Sequence, residues 1–243
     1  MKNYIQILVE GDADAVFLQS LIQHHFKIAI ERKKEDKKKS KNVALHYNSE
    51  KLDIHIMPVG GCSAIQSNKT EILKPYYDDD IESKTLLVFD GDGEKQKTNF
   101  KQTLAKLQTD LETLKQDEDE NRKPFHYAIY LFPKTNLSTD PITGEDGDLE
   151  DLLLKIIQEA SYNNYRDCMI QYTDCLVKIT GSNLSQNELL EKKSLVYSYI
   201  QAYEGGDKAK EIERDYQNHT LWDLDHTAVL PLVEFLKKYI KKI

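Results

Sequence analysis

The sequence lacks any apolar run of the roughly 18 residues that a membrane-crossing helix needs. Its first residues also lack the charged, apolar and small-residue regions of a secretory signal. Cysteine is scarce, and its three residues, an odd number without CxxC spacing, suggest neither a disulfide framework nor a zinc site. We therefore expect a soluble, cytoplasmic protein that makes no membrane contact.

Positive charge is also in deficit. Lys and Arg total 33 against 41 Asp and Glu, which gives the chain a net charge of -8. This balance excludes a protein that wraps nucleic acid over its whole surface, so any contact with DNA or RNA must be local. The basic residues of Arg32–Lys41 and the closing lysines from Lys237 to Lys242 form clusters. A local binding patch and a plainly solvated loop or helix face both fit these clusters.

Strand-length apolar runs alternate with helical patterns over the first part of the chain. The patterns predict strands at 4–9, 52–59, 84–89 and 127–132, and helices at 13–30, 63–73 and 95–115. Such a series is typical of an α/β fold with a mainly parallel sheet and helices on both faces.

After Gly147 the pattern becomes helical throughout. Helices are predicted at 148–160, 165–178, 186–203 and 228–243. We expect residues 1–150 to form an α/β metal-binding domain and residues 151–243 to form a C-terminal helical annex packed on it.

Two of the predicted strands end in acidic residues. Glu10 follows the first strand, and Asp90 and Asp92 follow the third, with Gly91 between them. Because ligands gather at the carboxyl ends of parallel strands, these acids are expected to meet at one edge of the sheet. Carboxylate oxygens are the ligands that Mg²⁺ and Mn²⁺ prefer, and a glycine lets the chain turn sharply between two of them. The sequence therefore predicts a divalent-metal site.

These motifs, ILVEGDADAVFL and later LLVFDGDGE, resemble the Toprim domain of topoisomerases, primases and OLD-type nucleases. The resemblance implies that Glu10, Asp90 and Asp92 are metal ligands and catalytic carboxylates. It implies the same ligand role for Asp14, which matches the second acid of the OLD-type nucleases.

Two later segments resemble the OLD-like branch in particular. The segment GDLEDLL at 147–153 is similar to a Gly-x-Leu-Glu-Asp-Leu-Leu motif and implies that Glu150 is a further metal ligand. The segment EKKSLVYSYIQAY resembles a lysine-bearing helix whose ammonium group reaches the scissile phosphate, which implies a catalytic role for Lys193, with Lys192 as the alternative. No motif marks any of the 14 tyrosines as a topoisomerase nucleophile, and no zinc ribbon of a primase is recognisable.

The implied activity is hydrolysis of DNA or RNA phosphodiester bonds with two Mg²⁺ or Mn²⁺ ions. No Walker A motif is present, so the ATPase half of OLD proteins is expected on a separate subunit, or the nuclease acts alone. A homo-oligomer is compatible with either arrangement.

Two other functions remain open. A haloacid-dehalogenase-like phosphatase would use Asp90 as its nucleophile, although Glu94 stands where that family has threonine and Glu10 is left without a role. A non-catalytic interaction module would hold a structural ion at the same acids. A calcium-binding EF-hand loop starting at Asp90 fails, because Lys95 and Lys101 occupy its glycine and glutamate positions.

Three smaller features have plain structural interpretations. Gly60 and Gly61 indicate a turn, with a phosphate cradle as the less favoured alternative. His24 and His25 are adjacent in a predicted helix, so their side chains are expected to point in different directions and to form no metal pair. Trp222 is expected in the core of the helical annex.

For Glu150, an exposed carboxylate at a helix start is the structural alternative to a ligand.

Overall fold

A computed structural model describes residues 1–32, 44–91, 98–116, 119–136, 138–157, 192–204, 214–219 and 221–240, with single positions at 164, 168, 171, 175 and 178. The strands are β1 (Lys2–Val9), β2 (Glu31–Arg32), β3 (Leu45–Asn48), β4 (Leu52–Pro58), β5 (Ile81–Asp90), β6 (Tyr127–Phe132), β7 (Lys134–Asn136) and β8 (Thr143–Glu145). The α-helices are α1 (Asp12–Phe26), α2 (Lys69–Leu73), α3 (Phe100–Gln116), α4 (Leu149–Ile156), α5 (Lys192–Glu204) and α6 (Leu230–Lys237).

The central sheet has six strands in the order β2-β3-β4-β1-β5-β6. β1 runs parallel to both β4 and β5, and β5 runs parallel to β6. β2 and β3 extend the sheet antiparallel beyond β4. The predicted α/β fold with a mainly parallel sheet is confirmed.

Alternate side chains of the central strands enter two separate cores. Ile7 of β1 and Val88 of β5 join a cluster with residues of α1, α4, α5 and α6. Their chain neighbours Leu8 and Leu87 face the opposite way and join a cluster with residues of α2 and α3. The near-continuous apolar runs of β1 and β5 are explained by this burial on both faces, which the sequence predicted.

The segments after α4 pack into the same core as α1. Trp222 is 1% exposed, pairs with Ile157 in an isolated bridge and lies with its ring centroid 4.9 Å from that of Tyr216. The ring of Tyr216 in turn meets Phe17 of α1 edge-on at 5.4 Å. The core position predicted for Trp222 is confirmed, whereas the division of the chain at residue 150 stays a prediction.

The helix predicted at 63–73 is wrong. The structure instead has a 3₁₀ turn at Cys62–Ala64 and the short helix α2. Between them the side chains of Ser67 and Asn68 bond the carbonyl oxygen of Ala64 at 2.9 and 2.8 Å, beside the backbone N–H of Asn68, and such side-chain bonds compete with a continuous helix. The strands β2 and β3 and the β7–β8 hairpin were not predicted, since they are too short to show a period.

Several predicted features fall partly outside the described residues. The helix predicted at 165–178 lies outside them apart from single positions. Residues 33–41 of the basic cluster also lie outside them, whereas its first residue, Arg32, ends β2. No helix in the described part of the chain is long and apolar enough to cross a membrane.

Gly91 offers a test of how tightly the carboxyl end of β5 is packed. A Cβ at this position would lie 2.5 Å from the carbonyl oxygen of Phe132 and 3.0 Å from that of Glu145. We expect Gly91→Ala to lower the free energy of unfolding by about 1–3 kcal/mol, measured by urea denaturation in EDTA. Gly11→Ala is the control, because its Cβ would meet nothing closer than 3.9 Å. Equal losses in both variants would contradict this account.

Candidate metal centre

The acidic residues lie where the strand order reverses. β1 has β4 on one side and β5 on the other, with Val9 paired to both Pro58 and Val88. Glu10 therefore leaves β1 beside Asp90, the last residue of β5. In open α/β sheets a crevice forms at this switch point, and ligands bind in it.

Glu10 is half-buried against the turn that follows β4. The backbone N–H of Gly60 donates to the carbonyl oxygen of Glu10 at 2.9 Å, and the Cys62 thiol donates to Oε1 of Glu10 at 3.8 Å. The glycine turn has positive φ at Gly60 and Gly61, at 87° and 95°. It is a turn, as predicted, and it forms one wall beside the Glu10 carboxylate.

Asp14 lies in the first turn of α1 and is 6% exposed. Its Oδ2 accepts the backbone N–H of Gly11 at 2.8 Å, which orients the carboxylate toward the start of the helix. The pKa of Asp14 is raised to about 7, chiefly by burial and also by the charges of Glu10 and Glu150, whereas the Gly11 bond and the charge of Lys193 oppose the shift. Asp14 thus belongs electrostatically to the same site as Glu10 and Glu150.

Asp90 connects the end of β5 to the start of α4. Its Oδ1 accepts the backbone N–H of Leu149, the first residue of α4, at 3.0 Å. Burial raises the pKa of Asp90 well above its usual range, and the neighbouring carboxylates add to the shift in the order Asp14, Glu10, Asp148, Glu150. Asp90 therefore holds the start of α4, the helix that carries the predicted ligand Glu150.

Glu150 is 3% exposed and faces the interior. Burial raises the pKa of its carboxyl group, and the charges of Lys193 and Arg214 lower it. The alternative of an exposed carboxylate at a helix start is therefore wrong. Capping of α4 does not explain the buried Glu150, because Asp148 already caps this helix and accepts the N–H of Asp151 at 3.0 Å.

The two adjacent lysines of α5 interact with different carboxylates. The ammonium of Lys192 pairs with the carboxylate of Asp151 and lies 3.7 Å from Oδ2 of Asp148. Lys193 is exposed, and its charge lowers the pKa of both Asp14 and Glu150. Of the two, Lys193 is the cation that acts on the acidic cluster.

Arg214 is a charged residue of this site that the sequence did not indicate. It is 4% exposed, donates from Nη1 to the Tyr216 hydroxyl at 3.1 Å and lies 4.8 Å above the ring centroid of Tyr197. Its Nε and Nη2 atoms are buried without a hydrogen-bond partner among the described residues. The sequence around it carries no motif, so only its folded position beside Glu150 identifies it.

The predicted set of metal ligands extends beyond the described residues. Asp92 lies outside the described residues, so its predicted place beside Asp90 stays a prediction. Within the described part of the chain, the group whose ligand atoms all lie within 4.8 Å of one another is His24, His25 and Asp225 rather than the four described carboxylates. An all-oxygen donor set with raised pKa values still suits a hard divalent cation, because such a cation would offset the repulsion.

Residues 4–241 match the family described as "Protein of unknown function (DUF3226)". The chain belongs to the DUF3226 family. No curated protein matches the sequence. The DUF3226 match spans every residue of the cluster, from Glu10 to Arg214, but its description assigns no activity to them.

The raised pKa of Asp14 predicts the pH dependence of this DUF3226 protein in EDTA. Since the folded-state pKa of about 7 exceeds the ordinary value of 3.8, the folded state binds more protons between these values, and stability falls as the pH rises through this window. At about 1.4 kcal/mol per pKa unit the loss is at most about 4 kcal/mol.

Asp14→Asn removes this titration. The melting temperature of the variant minus that of the wild type should therefore increase from about pH 4.5 to about pH 8. Asp79→Asn, at an exposed position, is the control and should show a constant difference. A constant difference for Asp14→Asn as well would show that Asp14 is not buried among like charges.

Proposed function

We propose that the chain is a Mg²⁺- or Mn²⁺-dependent nuclease of the Toprim, OLD-like kind, which hydrolyses phosphodiester bonds of DNA or RNA. The observation that supports it most is the convergence of carboxylates from separate elements: Glu10 after β1, Asp14 on α1, Asp90 at the end of β5 and Glu150 on α4. The charges of Glu10, Asp14 and Glu150 all raise the pKa of Asp90. Such crowding of buried acids is costly to fold and is typical of sites that work with a cation.

Glu10, Asp14, Asp90 and Glu150 would hold the ions, together with Asp92. When bound, two divalent ions stabilise the attacking water and the leaving oxygen of a phosphodiester. Asp14 and Asp90 keep fixed orientations because each accepts a backbone N–H, from Gly11 and Leu149 respectively. These bonds leave the second oxygen of each carboxylate for a ligand.

Lys193 and Arg214 supply the positive charge. Lys193 is exposed at the rim, where an ammonium group can meet a substrate phosphate and offset charge that develops on it. Arg214 is buried and its charge opposes the rise in the pKa of Glu150 that burial causes, so it acts as a positioning residue that favours the ionised form of Glu150. The cluster thus has one cation toward solvent and one toward the core.

The substrate must be bound locally, because the whole chain carries a net charge of -8. We expect weak, salt-sensitive binding of nucleic acid by the isolated chain, with the Arg32–Lys41 cluster as a contributor. A separate ATPase subunit, or a second copy of the chain, would supply the remaining contacts in the cytoplasm.

The central experiment measures cleavage of plasmid DNA and of a structured RNA by the purified chain with Mn²⁺. We expect Glu10→Gln and Asp90→Asn to lower the rate by about 100-fold or more, because each removes charge from the ion-binding set. Glu145→Gln is the matched control, since Glu145 is an acid at the same end of the sheet whose carboxylate pairs with Lys134 and Lys155 at the surface. Unchanged cleavage in Glu10→Gln would contradict the proposal.

The phosphatase remains the second candidate, because the bond from Leu149 N–H to Asp90 Oδ1 joins the Asp90 turn to residues 147–151, which resemble the late Gly-Asp-x-x-Asp motif of haloacid-dehalogenase-like enzymes. Hydrolysis of an aryl phosphate that is lost in Asp90→Asn but kept in Glu10→Gln would favour it. Metal binding without hydrolysis of either substrate, with and without a partner ATPase, would favour the interaction module.

The proposal predicts different effects for substitutions of the two adjacent lysines of α5. Lys193→Met should lower kcat for cleavage by about 10–100-fold with little change in the melting temperature, since the loss falls on the transition state. Lys192→Met should leave kcat within a few-fold, because its ammonium pairs with Asp151 and Asp148 at the start of α4. The reverse result would assign the catalytic role to Lys192.

A further inference from the structure

A second group of metal-ligating side chains lies at the other end of α1. His24 and His25 occupy its last turn, and Asp225 approaches them from the segment before α6. Ligand atoms of the three side chains all lie within 4.8 Å of one another. The expectation that the two histidines point apart is therefore wrong: their ring centroids are 4.8 Å apart, and both rings face Asp225.

The hydrogen bond of His25 fixes which ring nitrogen is available. Its Nε2 lies 2.9 Å from the carbonyl oxygen of Leu224, which can only accept, so Nε2 carries the proton. In the neutral ring the lone pair is then on Nδ1, which lies 4.0 Å from Oδ1 of Asp225. Metal-binding histidines are held in this way, with the second N–H bonded to a backbone carbonyl.

His24 and His219 complete the group. Nε2 of His24 lies 3.1 Å from the same Asp225 oxygen, and the ring of His219 lies 5.4 Å from that of His24. The side chains of His24 and His25 are 17% and 14% exposed, whereas that of Asp225 is 73% exposed. The group is thus anchored on its histidine side and open to solvent on its aspartate side.

We propose that His24, His25 and Asp225 bind a transition-metal ion of the Zn²⁺ class, with His219 as the fourth ligand. Imidazole nitrogens with a carboxylate favour such ions over Mg²⁺, which takes oxygen ligands. Zinc–nitrogen bonds of about 2.0–2.1 Å in a tetrahedron place ligand atoms roughly 3.4 Å apart. The 3.1 and 4.0 Å separations from Asp225 bracket this value, and all three ligand atoms lie within 4.8 Å of one another, so side-chain rotations can bring them to this spacing.

The ion would join the end of α1 to the segment that carries Arg214. These parts are far apart in the chain but already meet in the structure, where Gln217 donates to the carbonyl oxygen of Ser20 at 2.6 Å. A metal bond at the same junction would hold this segment more firmly against α1. Its role is therefore structural, and it is independent of the nuclease proposal.

The experiment titrates Co²⁺ and Zn²⁺ into the metal-free full chain in excess Mg²⁺, which occupies oxygen-only sites. We expect one ion bound per chain, with the visible absorption of four-coordinate Co²⁺ and a higher melting temperature. His24→Gln, His25→Gln and Asp225→Asn should each weaken binding by about 10–100-fold, and His219→Gln should weaken it less.

Two controls isolate the site. His46→Gln alters another histidine–aspartate pair, in which Nε2 lies 2.8 Å from Asp53, and should leave binding unchanged. The double variant Glu10→Gln, Asp90→Asn should also bind normally, which separates this site from the acidic cluster. Binding that persists in Asp225→Asn and His25→Gln, or a thiolate–cobalt absorption band, would overturn the proposal and leave a simple histidine–aspartate ion pair.

Discussion

Repulsion among the buried carboxylates is the constraint on which the rest of this structure depends. Asp14, Asp90 and Glu150 lose hydration where their charges oppose one another, and burial is the largest cause of the raised pKa of each. The fold offsets this cost locally, through backbone N–H groups at Asp14 and Asp90 and the guanidinium of Arg214 near Glu150. The two apolar cores on either face of the sheet supply the remaining stability.

The topology explains why these acids meet at all. β1 lies between β4 and β5, so the residues that follow β1 and end β5 are neighbours although the chain between them is long. α4 then reaches the same edge because its first N–H bonds Asp90 and its apolar face enters the core beside α1. The cluster and the packing of the later helices are therefore parts of one arrangement.

Much of the fold and part of the site follow from local sequence. The apolar runs of β1 and β5 predict buried parallel strands, and Glu10 and Asp90 stand directly at their ends. By contrast, the burial of Glu150 depends on where α4 docks, which no periodicity encodes. Arg214 reaches the site through contacts with Tyr197 and Glu150 from other segments of the chain. The group of His24, His25 and Asp225 depends on contacts between segments about 200 residues apart, for example His24 with Asp225 at a separation of 201. Such contacts leave no pattern in a single sequence.

The most direct test of the central claim is a crystal structure of the chain soaked in Mn²⁺, with anomalous scattering used to locate the ions. The account predicts Mn²⁺ peaks in the space between Glu10, Asp14, Asp90 and Glu150. Well-occupied Mn²⁺ elsewhere in the crystal, with none among these four carboxylates, would contradict it.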